Sequence, residues 1–286
     1  MSDPALGINS IIQEQMVLDF LPFKEQPSEE YIYDKEFWGD KELVSYLLDG
    51  YIRGRRDSSE LPQFIDGKNF IAQQAAHCAV TSLLNSYNDP MSQVEEAVAI
   101  TINPFGTTRN TSAPFNFRQT SGSQNNIEIP MFFGKNGAER TKAFVHSHPY
   151  SPQLLQASNL TAPSPRDIYT LAQNDFRTDL LSGITNAVDM YMLIPTKNTP
   201  LYNSAKVESF IEKANAQIIT RANAEVAYVQ RNLNPSNSIE GLRYLNDVSQ
   251  RVVKAGALNL AQQLRIGMYH RSLLSEVKDT RFKRLV

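Results

Sequence analysis

The chain has 286 residues, 41% of them apolar and 20% charged, enough to bury a sizeable core in one large domain or in a core with extensions. Its net charge of −2 lacks the basic surplus that marks nucleic-acid binders. No run approaches the roughly 20 apolar residues of a membrane span, and the single cysteine, Cys78, excludes an internal disulfide.

Charge is unevenly spread. Residues 1–67 hold 14 Asp/Glu against 6 Lys/Arg, a local net of −8, whereas residues 251–286 hold 8 Lys/Arg against 2 Asp/Glu, a local net of +6. The two ends can attract each other or separate partners, and solvated helix faces explain them equally well. The opening Met1-Ser-Asp-Pro lacks the basic and apolar regions of a signal peptide. The expectation is a soluble protein, cytoplasmic in the producing cell; delivery into another cell would use a route this sequence does not announce.

In chain order, residues 1–67 form an acidic N-terminal region, irregular around Pro22, Pro27 and Pro62, with one helix expected over Lys41–Ile52. Ala72, Ala75, Ala76, Ala79, Val80, Leu83 and Leu84 follow helical spacing up to Asn85. Cys78 lies on this Ala-rich stretch and reads as a small buried residue rather than a nucleophile. Ala97–Asn103 reads as a buried strand, Pro104–Asn126 as loop with a short strand at Phe115–Phe117, and Ile127–Phe133 and Lys142–His146 as strands around a turn at Gly134–Gly137. Ser164 opens a helix expected to reach Phe176, and Val188–Ile194 is the last clear strand. Beyond Tyr202, Val207 to Leu233 and Ile239 to Val252 form two apolar stripes that predict a helical hairpin without strand signal. The organisation expected is thus an acidic region (1–67), an α/β core (68–203) and a helical extension (204–286).

The chemistry concentrates in the core. His146-Ser147-His148 follows the apolar run Ala143-Phe144-Val145, and residues i and i+2 of a strand face the same way. Asp167 falls nineteen residues beyond His148, in the first turn of the next helix. Two imidazoles and one carboxylate leave a fourth tetrahedral position open, the catalytic rather than the structural arrangement of zinc. Each part has a plainer explanation alone. An isolated His-x-His arises by chance, and Ser164-Pro165-Arg166-Asp167 has the composition of a helix N-cap. His77 and His270 lack neighbours at ligand spacing and read as structural or solvent-facing.

The string HSHP after an apolar strand, followed by PSPRDI opening a helix, resembles the signature of JAB/MPN (JAMM) metallopeptidases, H-[ST]-H-P…S-x-x-D. All its named letters are present as His146, Ser147, His148, Pro149, Ser164 and Asp167. The Ser-Pro-x-Asp form with a long spacer looks closest to JAB-like domains of bacterial toxins and effectors. The resemblance covers roughly residues 70–200 and implies a mixed, curved sheet flanked by helices. It also implies zinc on His146, His148 and Asp167, an upstream Glu as general base, and Ser164 helping to stabilise the oxyanion. Two departures stand out: the spacer between His148 and Asp167 is longer than usual in the family, and the small residue expected three places after the base is Ala99 or Val98. Glu96, which abuts the strand, is favoured over Glu95 as the base.

The activity expected from this resemblance is zinc-dependent hydrolysis of a peptide or isopeptide amide, on protein or peptide substrates such as ubiquitin-like conjugates. A silent MPN-like scaffold is the first alternative, although no ligand is lost. An unrelated zinc hydrolase is the second; a cysteine-rich deaminase site is excluded by the single Cys. The helical extension is expected to dock a partner rather than to complete the core.

Overall fold

The computed structural model describes residues 37–52, 56–88, 94–102, 115–122, 127–129, 140–148, 162–173, 181–185, 189–233, 239–273 and 280–286. The chain begins with β1 (Phe37–Trp38), α1 (Asp40–Ile52), β2 (Phe64–Ile65) and α2 (Phe70–Asn88). It continues through β3 (Glu96–Ile102), β4 (Phe115–Ser121), β5 (Arg140–Ser147), α3 (Pro165–Thr170), β6 (Leu181–Thr185) and β7 (Asp189–Pro195). It ends with α4 (Ser204–Leu233), α5 (Ile239–Gln263), β8 (Ile266–Ser272) and β9 (Phe282–Arg284).

The described strands form one open, mixed sheet in the order β1-β2-β9-β8-β7-β6-β5-β3-β4. The pairs β5–β6 and β1–β2 are parallel and the others antiparallel. An α/β fold with helices on both faces of a mixed sheet is therefore what the sequence specifies. On one face α1 and α2 bury Leu43, Leu47, Ile71 and Ala75 against Val98, Val145 and Met192. On the other, α3, α4 and α5 bury Ile168, Val207, Ile211 and Leu260 against Phe144, Ile184, Tyr191 and Met268. Strands covered on both faces read as continuous apolar runs, which is why Ala143–Val145 and Met190–Ile194 lack alternation.

The expectation of a purely helical extension after residue 203 is corrected by β8 and β9. β8 pairs along its whole length with β7, and β9 joins β8 to β2. The reason is local: α5 closes through Arg265 at φ 53, a left-handed residue that reverses the chain. The short run Ile266–Tyr269 that follows is buried on both faces, so its periodicity cannot be told from a helical continuation. The acidic start and basic end meet as the backbone pairs Phe64↔Lys283 and Ile65↔Phe282. Tyr46 Oη donates to Pro195 O, and Tyr269 Oη donates to Pro62 O at 2.7 Å.

Smaller differences concern the core. The strand expected over Ile127–Phe133 is absent at residues 127–129, and the rest of it, like the turn at 134–137, lies outside the described residues. The helix opened by Ser164 ends at Thr170, not near Phe176. There Ala172 O accepts from Tyr202 N at 2.8 Å and Gln173 bridges to Tyr202, so the chain leaves helical geometry to join the segment before α4.

Candidate metal centre

Two elements converge on the site. β5 ends in His146 and Ser147, and His148 N donates to Thr185 O at 2.8 Å, which carries the alignment with β6 one residue past the strand. The second element, α3, has only six residues, too short to be stable alone. Its start is fixed by a capping box: Ser164 Oγ accepts from Asp167 N at 3.3 Å, and Ser164 N donates to Asp167 Oδ2 at 2.6 Å. Its flank is held by α4. Arg166 makes a bidentate pair with Glu208 at 3.1 and 2.8 Å, Tyr169 stacks near Phe210 at 5.7 Å, and Ile168 packs in one cluster with Val207. Asp167 is thus aimed by its own cap and by the C-terminal region together.

His146 Nε2 lies 3.1 Å from Asp167 Oδ1 and His148 Nε2 lies 3.5 Å from Asp167 Oδ2. The two Nε2 atoms are 3.2 Å apart. The three side chains are 4, 11 and 12% exposed for His146, His148 and Asp167, so the cluster is mostly dry yet reachable. Hydrogen bonding alone does not satisfy this geometry, because each Nε2 has one in-plane hydrogen or lone pair and faces two partners. A cation between the three atoms does satisfy it. Tetrahedral ligands at 2.0–2.1 Å from zinc stand about 3.4 Å from one another, matching the separations seen. The three residues can hold a metal ion. His146 Nδ1 is buried with no hydrogen-bond partner among the described residues.

Burial pushes the Asp167 carboxyl up, but the two imidazoles beside it outweigh that and hold it well below the usual carboxylate range. It is therefore ionised at neutral pH, as a ligand must be.

Register decides which of the two adjacent glutamates faces this cluster. Ala97 pairs directly with His146, and directly opposed residues of antiparallel strands share a face. Glu95, two residues before Ala97, lies on that face; Glu96 lies on the other. Burial raises the Glu95 carboxyl above its ordinary range, His146 and His148 pull it down, and Asp167 pushes it up. Glu95 is thus within electrostatic reach of all three residues. Glu96 instead accepts from Asn85 Nδ2 at 2.9 Å and from Ser121 Oγ at 2.8 Å, on the α2 side of the sheet. The expectation for Glu96 is corrected: the structure brings Glu95, not Glu96, to the triad. The signal was available in the sequence as a parity between two strands, but it needed the pairing register.

Ser164 sits beside Asp167 in the capping role, a bond that uses its oxygen only as acceptor. The remaining candidates are structural. Cys78 is fully buried, and burial pushes its thiol up to about 12. His77 is exposed on α2. His270 pairs with Asp189 at 2.6 Å. No described helix is long and apolar enough to cross a membrane. Comparison of the chain with known family models, curated proteins and solved structures finds no match.

Proposed function

We propose that this protein is a zinc-dependent hydrolase of peptide or isopeptide amide bonds, of the JAB/MPN type, acting on protein substrates such as ubiquitin-like conjugates. The observation that carries the reading is the convergence of two imidazole nitrogens and one ionised carboxylate, at tetrahedral spacing, beside a fourth carboxyl group of raised pKa. His146, His148 and Asp167 would hold the ion, and an N,N,O set with an open position favours zinc over magnesium or calcium. When bound, zinc lowers the pKa of a water to about 7 and polarises a carbonyl oxygen.

The chain's own residues supply the rest. Glu95, made more basic by its dry setting, takes the proton of the attacking water and delivers it to the leaving amine nitrogen. A pKa raised towards the working pH favours both transfers. The Ser164 hydroxyl hydrogen, free of the cap, donates to the oxygen that gains negative charge.

The test combines metal analysis with a panel of isopeptide-linked ubiquitin dimers and quenched-fluorescent peptides. The expected result is cleavage that a chelator stops and zinc restores. A metal-free protein that cleaves nothing would favour the scaffold alternative, and cleavage of nucleic acid instead would favour an unrelated hydrolase.

A further inference from the structure

The segment 94–96 is held on every side. From α2, Ser82 Oγ donates to Val94 O at 2.9 Å and Asn85 Nδ2 donates to Glu96 Oε1 at 2.9 Å. From the end of β4, Gly122 N donates to Glu95 O at 2.8 Å and Ser121 Oγ donates to Glu96 Oε2 at 2.8 Å. From β5, Ser147 Oγ accepts from Glu96 N at 3.0 Å and faces Glu96 O at 3.5 Å. Ser147 is wholly buried and Glu96 is 1% exposed.

Ser147 stands between the two imidazole-bearing residues but points to the opposite face, as strand alternation requires. A register slip of one residue would exchange the faces of Glu95 and Glu96. Such a slip would place Glu96 N away from Ser147 Oγ and pull the Glu96 carboxylate from both of its donors. A buried carboxylate without donors is strongly disfavoured, so these bonds specify the register.

We propose that Ser147 and Glu96 form a positioning latch on the back of the sheet that aims Glu95 at the triad on its front. The hydroxyl between the two histidines fixes where β3 begins against β5. The Glu96 carboxylate, clamped by α2 and β4, prevents the adjacent residue from turning. Neither residue touches substrate. The catalytic half of this inference rests on the hydrolytic reading above; the latch itself does not.

The experiment uses the full chain loaded with zinc, in wild type, Ser147→Ala, Ser147→Thr and Ser121→Ala forms. Three quantities are read: hydrogen exchange at the Glu96 amide, zinc per chain, and kcat and KM on an isopeptide-linked ubiquitin dimer or quenched peptide. Ser147→Ala should speed exchange at Glu96 about 10- to 100-fold, as expected when a buried N–H loses its acceptor. It should keep one zinc and lower kcat about tenfold or more at little-changed KM. Ser147→Thr, which keeps the hydroxyl on a residue suited to a strand, should restore both. Ser121→Ala should lower kcat by less, still at full zinc content.

An unchanged Glu96 amide in Ser147→Ala, an unchanged kcat, or a loss that Ser147→Thr does not restore would overturn the latch. If Ser147→Ala fails to fold, an unaltered kcat in Ser121→Ala overturns it instead. A wild type that binds zinc but cleaves no probe defeats the hydrolytic reading, and the exchange arm then decides the latch by itself.

Discussion

Truncating the chain after Tyr202 should destroy both the fold and the metal centre. The cut removes α4, α5, β8 and β9, and with them the buried side chains of Val207, Ile211, Leu260, Ile266, Met268 and Phe282. At about 1.5–3 kcal/mol for each large apolar side chain, these six represent about 9–18 kcal/mol. That figure reaches or exceeds the whole stability of a typical domain, about 5–15 kcal/mol. The loss is not confined to the far edge. β7 would be left with one bare edge where β8 pairs over seven residues, and α3 would lose the Arg166–Glu208 pair and the Val207 and Phe210 contacts that hold Asp167 in place. Soluble expression, far-UV circular dichroism and zinc content of the truncated chain form the assay. The expected outcome is an insoluble or non-cooperatively melting product without zinc. A soluble truncated protein with a cooperative transition and one zinc per chain would refute this reasoning and return the C-terminal region to the status of a docking element.

Glu95→Gln should keep zinc while lowering turnover about 10²- to 10⁴-fold, and Glu96→Gln, which keeps its shape and hydrogen bonding, should lower it far less; steady-state kinetics on either substrate class reads the difference, and the reverse order would contradict the register. Ser164→Ala should cost about 1 kcal/mol of stability through the lost cap and about 10²–10³ in kcat if the hydroxyl serves the oxyanion; thermal melts and kinetics separate the two, and a stability loss without a rate loss leaves the cap alone. Cys78 should react with a thiol reagent at pH 8 only after denaturation. Its folded pKa of about 12 exceeds that of a free thiol, so the folded state binds its proton more tightly; this stabilising contribution is whole below about pH 8.5 and fades as pH rises towards 12. Rapid labelling of the native protein would contradict the burial.

Much of the site was legible in the sequence because it depends on local rules. Strand alternation places His146 and His148 on one side, and an N-cap string places Asp167 in the first turn of α3. What stayed hidden depends on non-local pairing. Whether Glu95 or Glu96 faces the metal residues is set by the partner of Ala97, forty-nine residues away in β5, which neither strand states alone. The same holds for β8, whose apolar run continues a helical pattern and becomes a strand only because β7 and β9 flank it. β1, β2 and β9 are two or three residues long, shorter than any periodicity can register. β6, Leu-Ser-Gly-Ile-Thr, has no strong propensity; its Gly183 is dictated by the close approach of Val145, whose Cγ1 would lie 2.5 Å from an added Cβ.

The central claim is that His146, His148 and Asp167 jointly hold one catalytic zinc. Its most direct test is the metal content of the purified full-length wild type and of His148→Ala, measured by atomic emission after exhaustive dialysis and zinc reloading. The expected result is one zinc per wild-type chain and a small fraction of that in the variant, with both proteins retaining the same circular dichroism spectrum. A folded His148→Ala protein that keeps stoichiometric zinc, or a wild type that takes up none, would contradict the account.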